Sequence, residues 1–168
     1  MNALNCVSQD DVVSLRIICS LSQEYNMEEV DQYGNTALLK ACYLGRFECA
    51  RTLLDFGANI YAVNYFGQNA LTLATYAGHL QLVLELLRRR SYKDFNLSSL
   101  IPAICVAVMR QHFALEQHFQ QLDHAGVRDL QTVHGLDVND LREMVHRAKS
   151  NKVLHAARPT GILHRNNR

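Results

Sequence analysis

What most constrains this chain is that residues 31–96 say nearly the same thing twice, 33 residues apart. Gly34, Ala37, Leu38, Ala41, Tyr43, Gly45, Leu53 and Leu54 return as Gly67, Ala70, Leu71, Ala74, Tyr76, Gly78, Leu86 and Leu87, with no insertion between the copies. Agreement at that period in one register is the signature of a stacked solenoid, whose units bury their apolar faces only against their neighbours.

The repeated residues fall where a small helix–turn–helix unit needs them. Asp31-Gln32-Tyr33-Gly34-Asn35 and Asn64-Tyr65-Phe66-Gly67-Gln68 are turn chemistry. A short helix follows each, from about Ala37 to Leu44 and from about Ala70 to Ala77. Gly45 and Gly78 stand where a helix stops, and a second helix carries each Leu-Leu pair.

These residues resemble the ankyrin-repeat family. Gly34 to Ala41 is similar to its G-x-T-P-L-H-x-A run, Leu53 to Ile60 to its L-L-x-x-G-A-D-V run, and Gly78-His79 to the G-H between its helices. The chain departs at Ala37 and Ala70 (for Pro), Leu39 and Thr72 (for His) and Asn69 (for Thr), while Arg88-Arg89-Arg90 overwrites the closing Gly. The lost Thr and His put the family's turn-to-helix side-chain bonds in question. The resemblance implies an all-α ankyrin-repeat solenoid of stacked helix–turn–helix units with degenerate terminal capping repeats.

Phase extends the pattern both ways. Residues 1–30 read as a degenerate N-terminal capping repeat and linker, because Cys6 to Val12 can be laid on Ala41 to Phe47. Val12, Leu15, Ile18 and Cys19 would face the next unit, Ser8, Gln9, Asp10, Asp11 and Ser14 would give a polar outer face, and residues 22–30 would be an extended linker. Residues 31–63 and 64–96 are the clear repeats, and 97–123 is a degenerate third. There Ala103, Ile104, Ala107 and His112 keep the phase, but Leu100 stands for the turn glycine, so 91–99 is expected as a looser loop. Residues 124–150 are expected as C-terminal capping helices, with a short helix near Asp129 to His134. Asp137 or Asn139 would open a second helix whose stripe of Leu141, Met144, Val145 and Ala148 covers the open end. Residues 151–168 carry no carboxylate side chain and are expected as a disordered basic tail.

Composition excludes several functions. Seventeen Lys and Arg against sixteen Asp and Glu give bulk electrostatics no claim on nucleic acid or membranes. No apolar run is long enough to span a bilayer, and the N-terminus lacks the pattern of a signal peptide. The five cysteines form no CxxC pair and read as reduced packing residues, so the expected location is cytoplasmic or nuclear. No phosphate loop or zinc knuckle occurs. His112, His118 and His124, six apart, point about 120° from one another on a helix. No catalytic group, cofactor or metal is expected.

What remains is a surface for other proteins. The turn tips would present Gln32, Tyr33, Asn35, Tyr65, Phe66 and Gln68, and the first helices Lys40, Tyr43, Leu44, Leu73 and Tyr76. Large rings with polar ends are favoured at binding hot spots. Tyr33, Asn35, Lys40, Tyr43, Tyr65, Phe66, Gln68 and Tyr76 are therefore the candidate partner-binding residues, although Tyr43 and Tyr76 could instead pack between units. The chain reads as a non-catalytic adaptor or regulatory subunit for one or more folded proteins. Its size and few worn units also resemble a small cell-cycle regulator. That resemblance implies a subunit of a protein-kinase complex, beside another regulatory subunit, controlling DNA replication in early embryos. The alternative is a nucleic-acid-associated nuclear protein using the basic tail, with Arg88-Arg89-Arg90 as a second basic patch.

Overall fold

The computed structural model describes residues 2–21, 26–122, 131–132 and 134–156; part of the expected linker, segment 123–130, Val133 and the tail from 157 onward lie outside them. Among the described residues every regular element is an α-helix. They are α1 (Ala3–Gln9), α2 (Val12–Ser20), α3 (Ala37–Leu44), α4 (Phe47–Asp55), α5 (Ala70–Ala77), α6 (Leu80–Arg89), α7 (Tyr92–Ser98), α8 (Ala103–Arg110), α9 (Phe113–Leu122) and α10 (Val138–Ala156). The inner row runs α1, α3, α5, α8, α10, each packed on the next, while α2 packs on α4 and α4 on α6 in the outer row. Small residues make the inner contacts close: Ala37, Ala41, Ala70, Ala74, Ala103 and Ala107 are fully buried.

The inner helices α1, α3, α5 and α8 stop at the same device. Gly45 and Gly78 take left-handed backbone at the C-cap, and Asp10 and Gln111 adopt it at the matching places in the first and fourth units. Asp10 is a tolerated residue there, whereas Gln111 carries the ordinary side-chain cost.

The helix starts explain the departures from the family. Thr36 accepts from the Leu39 amide at 3.3 Å. Asn69 and Thr72 replace two family residues together, and together they form a capping box: Asn69 Oδ1 accepts from the Thr72 amide at 3.0 Å and Thr72 Oγ1 from the Asn69 amide at 2.9 Å. In the second unit the missing bonds are thus replaced rather than lost. Pro102 offers α8 no side-chain acceptor, and the amides of a helix's first turn need one. Tyr92 Oη accepts from the Ile104 amide at 3.0 Å and Asn96 Oδ1 from the Ala103 amide at 3.4 Å.

Those two acceptors sit on α7, where a loose loop was expected. Ser91 caps this helix by accepting from the Asp94 amide, and Tyr92 and Phe95 are buried from it. Tyr92 stacks on Phe119 at 5.0 Å and Phe95 lies 6.0 Å from Tyr61. Two aromatic anchors hold what the local sequence alone would leave open.

Two expectations at the ends are corrected. The outer face of the first unit is not wholly polar, since Val13, Ile17 and Leu21 are exposed along α2. The stripe on α10 meets the stack's end only in part. Leu141 is buried, but Met144 and Ala148 are exposed. Of the short helix expected near Asp129 to His134, the described residues from Thr132 form a turn: Thr132 N donates to Leu136 O at 3.0 Å and Gly135 N to Thr132 O at 2.9 Å. This is the pattern of Asp31 with Asn35 and Gly34. Asp137 then caps α10 through the Asp140 and Asn139 amides. Turn, cap and packing on α8 place α10 where the next inner helix would stand.

Candidate partner-binding surface

The tips are built by carboxyl and carboxamide groups that hold their own loops. Asp31 Oδ1 accepts from the Tyr33 and Asn35 amides, both at 2.9 Å. Asn64 Oδ1 does the same for Phe66 and Gln68, both at 3.0 Å. Partial burial pushes the Asp31 carboxyl up, but the Asn35 and Tyr33 amides, the Asn35 side chain and Lys40 outweigh it and hold the group below its ordinary range. Asn64 Nδ2 then donates to Asn35 Oδ1 and Gln68 Oε1, both at 3.0 Å. Two backbone bonds continue the row, Tyr65 N to Tyr33 O at 3.1 Å and Leu100 N to Gly67 O at 3.0 Å.

This row fixes the loops and turns the rings outward. Tyr33, Tyr65 and Phe66 are 51%, 74% and 62% exposed, with the Tyr33 and Phe66 rings 6.5 Å apart. Asn35 and Gln68, expected to offer their amides to a partner, have oxygens committed to Asn64.

Tyr43 and Tyr76 do both things the sequence left open. Their rings lie 6.3 Å apart across neighbouring units, yet they remain 49% and 37% exposed. Arg110 crosses the Tyr76 ring at 4.4 Å, a cation–π contact that covers one side of it. Histidines hold the backbone beneath: His79 Nε2 lies 3.1 Å from Tyr43 O, and His112 Nε2 3.1 Å from Tyr76 O. A carbonyl only accepts, so each Nε2 carries the proton. Lys40 is half-buried and lines an open hollow of about 430 Å³ with Asp31, Tyr33, Tyr43 and Leu44. Leu73, expected in the groove, is sealed in the core.

The basic cluster is largely neutralised. Glu85 accepts from Arg88 and Arg89, and Arg89 also reaches Asp55 at 2.6 Å. Among the described residues no cluster of three or more His, Cys, Asp or Glu is arranged to hold a metal, and no helix is long and apolar enough to cross a membrane. Sequence reasoning missed Arg110 against the Tyr76 ring. Adding 33 to Ala77 reaches it.

Stacked helix pairs, a row of turn tips and an aromatic groove define a protein-binding repeat module, and the sequence comparisons agree. Residues 4–99 match the family described as "Ankyrin repeats (3 copies)", so this chain belongs to the ankyrin-repeat family. The match ends before α8, although the stack itself continues through α10. The chain is 71% identical over 151 residues to "DNA replication inhibitor plutonium" of Drosophila melanogaster, covering 88% of this chain and 87% of that protein. It is also 35% identical over 69 residues to the human "Notch-regulated ankyrin repeat-containing protein", covering 41% of this chain and 60% of that one. A third relative, mouse "Ankyrin repeat domain-containing protein 13C", is 37% identical over 84 residues, half of this chain and 15% of its own length.

Proposed function

We propose that this chain is a non-catalytic regulatory subunit that restrains DNA replication in early embryos by docking onto a protein kinase and that kinase's other regulatory subunit. One observation carries the docking half of this reading. Tyr33, Tyr65 and Phe66 stand exposed on loops whose every turn bond is made internally. Rings on a pre-organised support bind with little ordering cost, which suits contact with an already folded partner. The name of the Drosophila relative supports the process, and the high shared identity over most of both chains supports carrying it across.

The test is depletion and rescue. In early embryos lacking the chain, DNA content per nucleus is expected to rise. Wild-type protein should restore it, and a Tyr33→Ala/Tyr65→Ala/Phe66→Ala variant of equal abundance should not. Unchanged DNA content on depletion would remove the process, and full rescue by the variant would remove the tips.

A further inference from the structure

The turn Thr132–Leu136 sets the register of α10, and with it a row along the concave face that no single unit shows. Counting nine residues on from Gly34 and Gly67 gives Tyr43 and Tyr76; from Leu100, at the third turn position, it gives Met109; from Gly135 it gives Met144. All four are exposed, the two methionines by 39% and 55%. The row three positions earlier, Leu73, Val106 and Leu141, is buried in the three later units. One depth therefore closes the core while the next lays an apolar ladder across four successive helices.

The geometry points to a fourth rung on α10 and to one kind of occupant: a single amphipathic α-helix of a partner protein, apolar at seven-residue spacing and acidic along its flank. It rests on the reading that this face binds a protein partner. Adjacent packed helices stand about 8–10 Å apart. A helix laid across the rungs rises about 10.5 Å in seven residues and returns to nearly the same face. An extended strand covers that distance in about three residues, an odd number, so successive side chains would point to opposite faces. The ladder therefore fits a helix and rejects a strand. Spanning four rungs takes about 20 residues of it.

Charge sets the flank. Along the four rungs, the neighbouring row of Leu44, Ala77, Arg110 and Val145 brings one cation and no carboxylate, and Lys40, half-buried at the depth that the later units close, brings a second. Asp31 beside Lys40 is engaged by its own turn, and Glu143 beside Met144 is paired with Arg147 at 2.9 Å. Two cations in an otherwise apolar and aromatic channel favour glutamates or aspartates opposite them. Methionine at the two later rungs adds a pliable contact that can adapt to the entering side chains.

The experiment is selection of 21-residue helical peptides from a display library against the full chain, followed by binding titrations. Enriched sequences are expected to carry large apolar residues seven apart, flanked by Asp or Glu. Met144→Glu and Met109→Ala should each weaken them at least fivefold, and Val13→Ala, at an exposed position on the outer helix α2, should leave them unchanged. Melting curves identify any variant that loses its fold, and the other methionine then decides. The inference is overturned if no helical peptide is enriched, if the enriched ones are basic or extended, or if neither methionine variant weakens binding. A concentration-dependent dimer abolished by Met144→Glu would overturn it too, since the face would then belong to a second copy. Failure here with embryo rescue still dependent on the tip rings would leave the regulatory-subunit reading standing.

Discussion

The ring of Tyr65 occupies the space that a β-carbon on Gly34 would need: Cδ1, Cε1 and Cγ would all lie within 2.9 Å of it. The contact joins the tips of two consecutive units, so the ring most open to a partner also rests on the neighbouring turn.

Gly34→Ala is therefore expected to do two things. At φ +78° an alanine carries a left-handed backbone cost of roughly 1–2 kcal/mol. It also drives the Tyr65 ring off its support. Gly57, at φ +87° with nothing within 4 Å of the place a methyl would take, isolates the backbone part. Urea titrations should show Gly34→Ala losing more than Gly57→Ala. Equal losses would mean that the Tyr65 contact contributes nothing.

Asn69 should resist replacement by the family's own residue. Its side chain caps α5 and also donates to Phe95 O at 2.7 Å and Ser98 Oγ at 3.0 Å, fastening α7 to the stack. Asn69→Ala should cost about 2–4 kcal/mol, combining a lost cap with buried groups left unpaired. Asn69→Thr restores the cap alone and should fall between the two. Stability of Asn69→Thr equal to wild type, by denaturant unfolding, would deny the link to α7.

The acid side of the stability profile should carry the signature of Glu85. Hydrogen bonds from Arg88 act first, burial opposes them, and Arg89 adds to Arg88, leaving the carboxyl at about 2 against an ordinary 4.5. A depressed folded value means stabilisation that is complete above about 4.5 and fades as pH falls toward about 2. Glu85→Gln should lower the melting temperature at pH 7 and make much less difference near pH 2. An equal deficit at both would assign the loss to packing rather than charge.

All five cysteines are buried. Burial pushes Cys42 up to about 12 and Cys105 up to about 11, while Cys49 reaches about 12 through burial and then its contact with Asp10. A thiol-specific reagent at pH 8 should label the native chain slowly and all five thiols promptly in denaturant. Rapid labelling of the native protein would show that the units open far more often than their packing implies.

Where sequence revealed the structure, the signal was local. Each turn is closed by its own Asp31 or Asn64 and each helix by its own Gly, so a short window carried the whole motif and copying it by 33 reached His79 and His112. α7 could not be seen that way. Tyr92 and Phe95 are anchored by Phe119, Tyr61 and Asn69, residues far off in sequence, and without those contacts seven residues make a poor helix. Met144 was read as part of a cover because two residues of drift in the period, from 33 to 35, hid its register, which only the turn closed by Thr132, Gly135 and Leu136 restores. Among the candidate site residues, tip position marked Tyr33, Tyr65 and Phe66 as exposed surface, while Tyr43 and Tyr76 were left open between surface and packing. The amides of Asn35 and Gln68 look alike in sequence whether they are open to a partner or, as here, have oxygens that accept from Asn64, across neighbouring turns for Asn35 and within one turn for Gln68.

The most direct measurement is the affinity of the Tyr33→Ala/Tyr65→Ala/Phe66→Ala variant for the protein-kinase complex proposed as its partner, isolated from early embryos, with its melting temperature taken alongside. The expected result is binding weakened at least about tenfold, the loss of roughly 1.4 kcal/mol that even one modest hot spot represents, on a chain that melts as wild type does. Unchanged affinity on a folded variant would contradict the assignment of these rings to a partner.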